Sequence, residues 1–145
     1  MVEKTSVMLT VINDSEDDHI RLTYRADRYT KGVNQYFRYQ EQEDMGQTFT
    51  LLKIGPDEIR IVRQGDMESE QAFAVGEIRT GYYRTAQGLL SITTRTSSIS
   101  VQLTEGLGTV FWDYELQLAG EAAGEYRVTL DIRGLDEEEG DSTLV

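Results

Sequence analysis

The feature that most constrains the fold of this chain is an alternation of apolar and polar residues that runs through most of its length. In residues 126–133, 110–118 and 20–26 every second side chain is apolar, and most of those between are charged or polar. A period of two places one set of side chains on one face of a β-strand, whereas a helix would scatter that set around its axis. The alternation therefore predicts an all-β protein.

Turn-forming residues separate the alternating runs. Pro56, in the sequence Gly55-Pro56-Asp57, favours a tight turn because proline fixes φ at the first central position. The runs predict strands at 5–12, 20–29, 33–42, 46–54, 57–64, 69–76, 78–86, 88–97, 99–104, 107–118 and 124–133. The connections are too short to hold crossover helices, so consecutive strands are predicted to be antiparallel.

An open sheet of this length would leave two unpaired edges and a large apolar face in water. Closure removes both problems, so the sequence predicts one closed antiparallel up-and-down barrel of about ten strands. The barrel domain is predicted to span residues 3–134. Residues 135–145 are acidic and lack an apolar pattern, so they are predicted to form a disordered tail.

Composition limits the classes of partner. The chain has 14 basic and 26 acidic residues and a net charge of -12, which opposes binding to nucleic acid and to anionic membranes. It has no cysteine, so disulfides and thiolate chemistry are excluded. Its first residues do not read as a signal peptide, and no apolar run approaches the roughly 20 residues of a membrane helix. We therefore expect a cytoplasmic, bacterial-type protein that is a monomer or a homodimer.

Catalytic and metal-binding patterns are weak. His19 is the sole histidine and follows an acidic loop at residues 13–18, where we expect an exposed imidazole. The loop lacks the glycine and the terminal glutamate of an EF-hand. No phosphate loop, dinucleotide fingerprint or nucleophile elbow is present. We therefore expect no catalytic residues, no metal and no cofactor.

Two charged residues continue apolar faces of predicted strands, and this places them inside the barrel. Arg63 follows one such face and Glu41 follows another. The apolar residues of the two faces are Ile59 and Ile61, and Val33, Phe37 and Tyr39. A charge that points into a barrel is costly unless it is paired or kept wet. We therefore predict that Arg63 and Glu41 meet near one end of the barrel, with Tyr24, Tyr39 and Tyr82 as hydroxyl partners.

Two interpretations of this pair stay open. In the first, the ion pair is a structural plug that seals one end of the barrel. In the second, Arg63, Glu41, Tyr39, Tyr24 and Tyr82 line a ligand site, in which Arg63 binds a carboxylate or phosphate and apolar walls hold the rest of the molecule.

Three aromatic residues fall on the outer face of the predicted strands. Tyr36, Tyr83 and Phe111 would together form an exposed patch that favours self-association.

Short motifs in the middle of the chain resemble those of a known family. The motifs are Ile61-Val62-Arg63-Gln64-Gly65, then Phe73-Ala74-Val75-Gly76, residues 88–96 and Tyr114-Glu115-Leu116. They resemble the uncharacterised YwiB-like proteins of Gram-positive bacteria. The resemblance implies a calycin-like (lipocalin-type) barrel and carries over no catalytic residue, because the family has no established activity.

Three functions remain after these exclusions. The leading one is non-catalytic binding of a small amphipathic or anionic ligand in the barrel, as calycin relatives do. The alternative is a protein-interaction or self-associating module with a filled barrel. The last is a hydrolase or isomerase that uses Glu41 and a tyrosine as acid and base, for which no catalytic constellation is legible.

Overall fold

A computed structural model of the chain describes residues 4–41 and 46–135, and within them it has ten antiparallel β-strands. The strands are β1 (Lys4–Ser15), β2 (His19–Lys31), β3 (Asn34–Gln40), β4 (Thr48–Ile54), β5 (Ile59–Gly65), β6 (Glu68–Phe73), β7 (Ile78–Thr85), β8 (Gly88–Thr104), β9 (Leu107–Leu118) and β10 (Glu121–Gly134). They pair in chain order, and β1 pairs with β10 to close the barrel. The predicted closed all-β barrel is confirmed.

Some of the chain lies outside these ranges. Apart from Leu135, the predicted disordered tail at residues 135–145 falls outside the described residues, and so does Glu3 at the predicted start of the domain. In the described part of the chain, no helix has the length and apolar character needed to cross a membrane.

The two strands predicted at 88–97 and 99–104 are one strand, β8. Its pairing with β9 shifts register between Thr96 and Ser98, which marks a β-bulge at Ser97. A bulge inserts one extra residue, so Thr96 and Ile99 both face inward although they are three positions apart. The sequence pattern changes phase at this point, and the phase change explains why it predicted two strands. A further difference is Val33, predicted to lie in a strand, which sits in the β2–β3 turn and is 76 % exposed.

The two ends of the barrel carry different connections. We call the end with the β1–β2, β3–β4, β5–β6, β7–β8 and β9–β10 connections the upper end, and the opposite end the lower end. The lower half is filled by inward-facing side chains that are almost fully buried. They include Leu9, Phe37, Leu52, Ile59, Phe73, Val110, Trp112, Leu130 and Ile132, each between 0 % and 2 % exposed. Packing of this kind supplies most of the hydrophobic stabilisation of a small domain.

Two chain segments add to the packing of the lower half. The turn of the β8–β9 hairpin reaches β2, where a Cβ added to Gly106 would overlap the guanidinium of Arg28. After β6 the chain crosses to β8, where the Thr94 hydroxyl donates to the Ala72 carbonyl at 2.7 Å and the Gly76 amide donates to the Thr96 carbonyl at 2.9 Å. These contacts tie the lower connections to the barrel wall.

Strands β6 and β7 approach each other closely at the point where their pairing ends. The two strands pair only from Glu68 opposite Arg84 to Glu70 opposite Tyr82. The next residue of β7 is Gly81, and a Cβ there would overlap the carbonyl oxygen of Glu70. A side chain at this position would therefore push the two strands apart.

We predict that Gly81→Ala lowers the free energy of unfolding by about 1–3 kcal/mol, because overpacking forces the backbone to shift. The matched control is Gly134→Ala, where the nearest atom to the added Cβ is Leu107 Cδ1 at 3.8 Å, an ordinary contact. This control should change stability by no more than about 0.5 kcal/mol. Urea unfolding followed by circular dichroism measures both, and equal losses in the two variants would contradict the close approach of β6 to β7.

Candidate functional site

The predicted approach of Arg63 to Glu41 is observed. Arg63 lies near the upper end of β5, and Glu41 follows the last residue of β3. The Arg63 Nε donates to Glu41 Oε1 at 3.3 Å, and Nη1 donates to the hydroxyl of Ser69 at 3.4 Å. The Glu41 side chain is 6 % exposed and the Arg63 side chain 23 % exposed. The ion pair is therefore inside the barrel wall, with the arginine in contact with solvent.

The guanidinium of Arg63 is only partly used by these contacts. Charge-assisted N–H···O bonds are typically about 2.7–2.9 Å long, so both contacts of Arg63 are weak in geometry. The contacts with Glu41 and Ser69 therefore use Nε and Nη1, and both are longer than a strong charge-assisted bond.

Tyrosines surround the pair, and two of those predicted from sequence are among them. Tyr24 and Tyr39 lie with their ring centroids 4.4 Å apart and are 8 % and 5 % exposed. Tyr114, on the opposite wall, is 8 % exposed and was not predicted to join the site. A period-two pattern marks Tyr114 as inward, but it gives no signal for which inward residues lie level with Arg63.

Burial raises the pKa of two of these tyrosines, and the positive charge of Arg63 opposes the rise. Burial raises the pKa of Tyr39 above its ordinary value, the carboxylate of Glu41 raises it further, and the charge of Arg63 opposes both. Burial also raises the pKa of Tyr114 to about 12, with Tyr126 adding to the rise and Arg63 opposing it. Arg63 lies opposite the buried Thr50 on β4, so its side chain faces the interior, where its charge opposes the rise in the pKa of both tyrosines.

The structure corrects the placement of two adjacent tyrosines. Tyr82, predicted as a hydroxyl partner of Arg63, pairs with Glu70 and lies on the outer face. Tyr83, predicted to point outward, pairs with the buried Ser69, which in turn pairs with Arg63. The β7 segment around Gly81 offers little alternation, so its register was assigned one residue out of phase.

The predicted outer aromatic patch is wrong. Tyr36 stacks on Tyr29 on β3 and β2, and Phe111 lies under the guanidinium of Arg127 on β9 and β10. Strands β2, β1 and β10 separate β3 from β9. In addition, Tyr83 faces the interior. The three residues therefore do not share a surface.

At the upper end of the barrel, several apolar side chains that face inward are exposed. In β2, Ile20 and Leu22 continue the inward face of Tyr24, and they are 50 % and 38 % exposed. Across the barrel, Leu90 pairs with Tyr83 and Leu118 pairs with the buried Ile92, and they are 37 % and 36 % exposed. We call Ile20, Leu22, Leu90 and Leu118 the apolar mouth. Alternation predicts the face of each residue but not whether anything covers it.

The acidic β1–β2 loop ends at His19, which is exposed. His19 contacts Asp14 through Nδ1, and its side chain is 67 % exposed, as predicted for a surface imidazole. In the described ranges no three histidine, aspartate or glutamate side chains are grouped closely enough to hold a metal ion.

Comparisons with known proteins agree on the fold. A family model described as a domain of unknown function, DUF1934, matches residues 6–130. An uncharacterized β-barrel protein from Bacillus subtilis, YwiB, is 27 % identical over 138 residues, which cover 92 % of this chain and 97 % of that protein. The crystal structure of the ywiB protein from Bacillus subtilis aligns with a TM-score of 0.68 at 20 % identity, covering 92 % of each chain. This likeness shows a shared barrel.

The raised pKa of Tyr114 predicts a specific loss of stability in alkali. The unfolded chain releases its tyrosine protons near pH 10, while folded Tyr114 holds its proton until about pH 12. The folded state therefore binds more protons over this window, so the free energy of unfolding falls as the pH rises from about 10 to 12 and is unaffected below it. Urea unfolding across this range should show a steeper decline for the wild type than for Tyr114→Phe, and identical slopes would contradict the burial of this hydroxyl.

Proposed function

The chain belongs to the DUF1934 family of domains of unknown function, and we propose that it binds a small amphipathic anion in the upper end of its barrel, without catalysing a reaction. The observation that carries the proposal is the stacking of two features that suit the two halves of such a molecule. An arginine with long, weak contacts, Arg63, faces the interior of the upper half of the barrel, and the side chains of the apolar mouth at the same end also face inward and are exposed.

In the proposed site, Arg63 binds the charged group of the ligand. A guanidinium inside a barrel loses hydration, and a partner with good geometry must offset that loss. Glu41 contacts Nε at 3.3 Å and Ser69 contacts Nη1 at 3.4 Å, so a bound anion would receive a hydrogen bond from Nη2 and a second from Nη1 in place of Ser69. A carboxylate and a phosphate both fit this geometry, because each has two oxygens that can accept hydrogen bonds from one guanidinium.

In the proposed site, the apolar mouth holds the alkyl chain of the ligand. Four large aliphatic side chains facing inward would normally be covered by the core, as their counterparts in the lower half are. An alkyl chain placed among them would gain roughly 25 cal/mol for each Å² of apolar surface removed from water. Concave apolar walls with a few convergent polar groups are typical of small-molecule sites.

Glu41 shapes the preference of the proposed site. Its carboxylate lies 3.3 Å from Arg63 Nε and would repel a second anion bound to the same guanidinium. The proposed ligand therefore competes with Glu41 for Arg63. The affinity for an anion depends on how much more strongly Arg63 attracts the anion than it attracts Glu41. A neutral amphiphile avoids this repulsion but gains no ion pair.

The non-catalytic part of the proposal rests on Tyr39. An acid–base pair of Glu41 and Tyr39 would need a tyrosine poised near neutral pH. Burial and the charge of Glu41 instead raise the pKa of Tyr39, so it stays protonated and serves as a hydrogen-bonding hydroxyl. The proposed setting is the cytoplasm, which accords with a chain that contains no cysteine.

We predict that octanoate binds to the protein and that Arg63→Met weakens binding at least tenfold, a loss of about 1.4 kcal/mol or more, because a charged hydrogen bond is removed. The matched control is Arg60→Met, on the same strand but on the outer face, where Arg60 pairs with Glu58 and Glu70. It should bind octanoate like the wild type. Isothermal titration calorimetry measures all three proteins, after circular dichroism has shown that the variants are folded.

Octanol provides the neutral counterpart of that probe. Its affinity should be similar in the wild type and in Arg63→Met, since no ion pair is lost. If octanoate binding is absent from the wild type, or is reduced equally by Arg63→Met and Arg60→Met, the proposed site is wrong.

We further predict that Glu41→Gln strengthens octanoate binding, because the repulsion between two carboxylates disappears while the amide oxygen can still accept from Arg63. The same calorimetric titration tests this change. A plug without a ligand site predicts the opposite pattern, in which Glu41→Gln lowers the free energy of unfolding and creates no affinity for octanoate.

A further inference from the structure

Two stretches of strand edge in the barrel have no neighbouring strand among the described residues. The pairing of β7 with β8 ends at Ile78 opposite Arg95, so residues 98–104 of β8 pair with β9 alone. The pairing of β2 with β3 runs from Asp27 to Lys31, so residues 19–26 of β2 pair with β1 alone. Each stretch presents backbone amides and carbonyls along its open side.

The two edges differ in charge. The β2 edge carries His19, Arg21 and Arg25, and such charges deter pairing with another chain. The β8 edge carries none, because the chain between Arg95 and Glu105 is uncharged. An edge that lacks charge and proline over this length is unprotected, and natural proteins rarely leave such an edge without a partner.

The β8 edge also carries an apolar stripe. Ile99, Val101 and Leu103 alternate along one face, and Val101 is 42 % exposed although its partner on β9, Val110, is fully buried. Ile99 and Leu103 pack against the core of the barrel, whereas Val101 between them is exposed. An added strand would satisfy the open backbone groups and cover Val101 at once.

We propose that this edge is a dimer interface, in which residues 98–104 of β8 pair antiparallel with the same residues of a second copy of the chain. An antiparallel pair of identical strands is self-complementary about a two-fold axis. With the axis at Val101, each Ile99 lies opposite the partner copy's Leu103, so the apolar stripes of both copies meet. The register also pairs Ser98 with Thr104 and Ser100 with Gln102, which are all uncharged.

The absence of charge at this edge makes it compatible with a second copy of the chain. Two copies repel each other because each carries a net charge of -12, so association is least opposed where the contact itself is neutral. The edge belongs to the part of β8 that runs towards the lower end, so a dimer formed there leaves the apolar mouth open. The inference is therefore independent of the proposed ligand site.

The absence of cysteine makes the interface directly testable. Directly opposed residues of antiparallel strands have Cα atoms about 4.5–5.5 Å apart, within the range of about 4.4–6.8 Å that a disulfide spans. Val101→Cys should therefore form a covalent dimer in a glutathione redox buffer, as seen on a non-reducing gel. The matched control is Val33→Cys, which is more exposed at 76 % but lies in the β2–β3 turn, outside the proposed interface, and should stay largely monomeric.

The register is tested with two further variants. Ile99→Cys and Leu103→Cys should each cross-link poorly alone and efficiently when mixed, because each residue faces the other across the axis. Val101→Glu, which places two carboxylates together, should convert the wild-type dimer to a monomer in sedimentation velocity. A wild type that sediments as a monomer, or a Val101→Cys that cross-links no faster than Val33→Cys, overturns the proposal.

Discussion

The pairing of β1 with β10 is the constraint on which the rest of the structure depends. It closes the sheet with Leu9 opposite Ile132 and Val11 opposite Leu130, so that both aliphatic rows face the same interior. A slip of one residue would exchange every inward side chain for an outward one. In the same way, the pairing of β5 with β4 sets Arg63 opposite the buried Thr50 and so turns its side chain inward.

This closure produces a barrel of two unlike halves. In the lower half, aromatic and aliphatic residues such as Trp112, Phe37 and Phe73 leave no exposed surface. In the upper half, the tyrosines around Arg63 keep 5 % to 8 % exposure and the apolar mouth above them keeps 36 % to 50 %. The lower half contains the fully buried core, and the upper half contains the proposed ligand site. This division agrees with the general rule that function lies in sites built on a rigid scaffold.

The sequence predicted the part of this account that depends on alternation. It assigned the barrel and the meeting of Arg63 with Glu41, because both follow from a period of two carried along β5 and β3. It failed where the period is interrupted: at the Ser97 bulge, which split β8 in two, and at Gly81, after which Tyr82 and Tyr83 exchanged faces. It had no access to the openness of the mouth or to the uncharged β8 edge, because both depend on which strands end early.

The central claim is that the upper interior holds an amphipathic anion with its charge at Arg63. A crystal structure of the protein grown with ω-bromooctanoate tests it most directly, because the anomalous signal of bromine marks the end of the chain. We expect the carboxylate within hydrogen-bond distance of the Arg63 guanidinium and the bromine among Ile20, Leu22, Leu90 and Leu118. Bromine found only on the outer wall, or an upper interior that stays empty at saturating ligand, would contradict it.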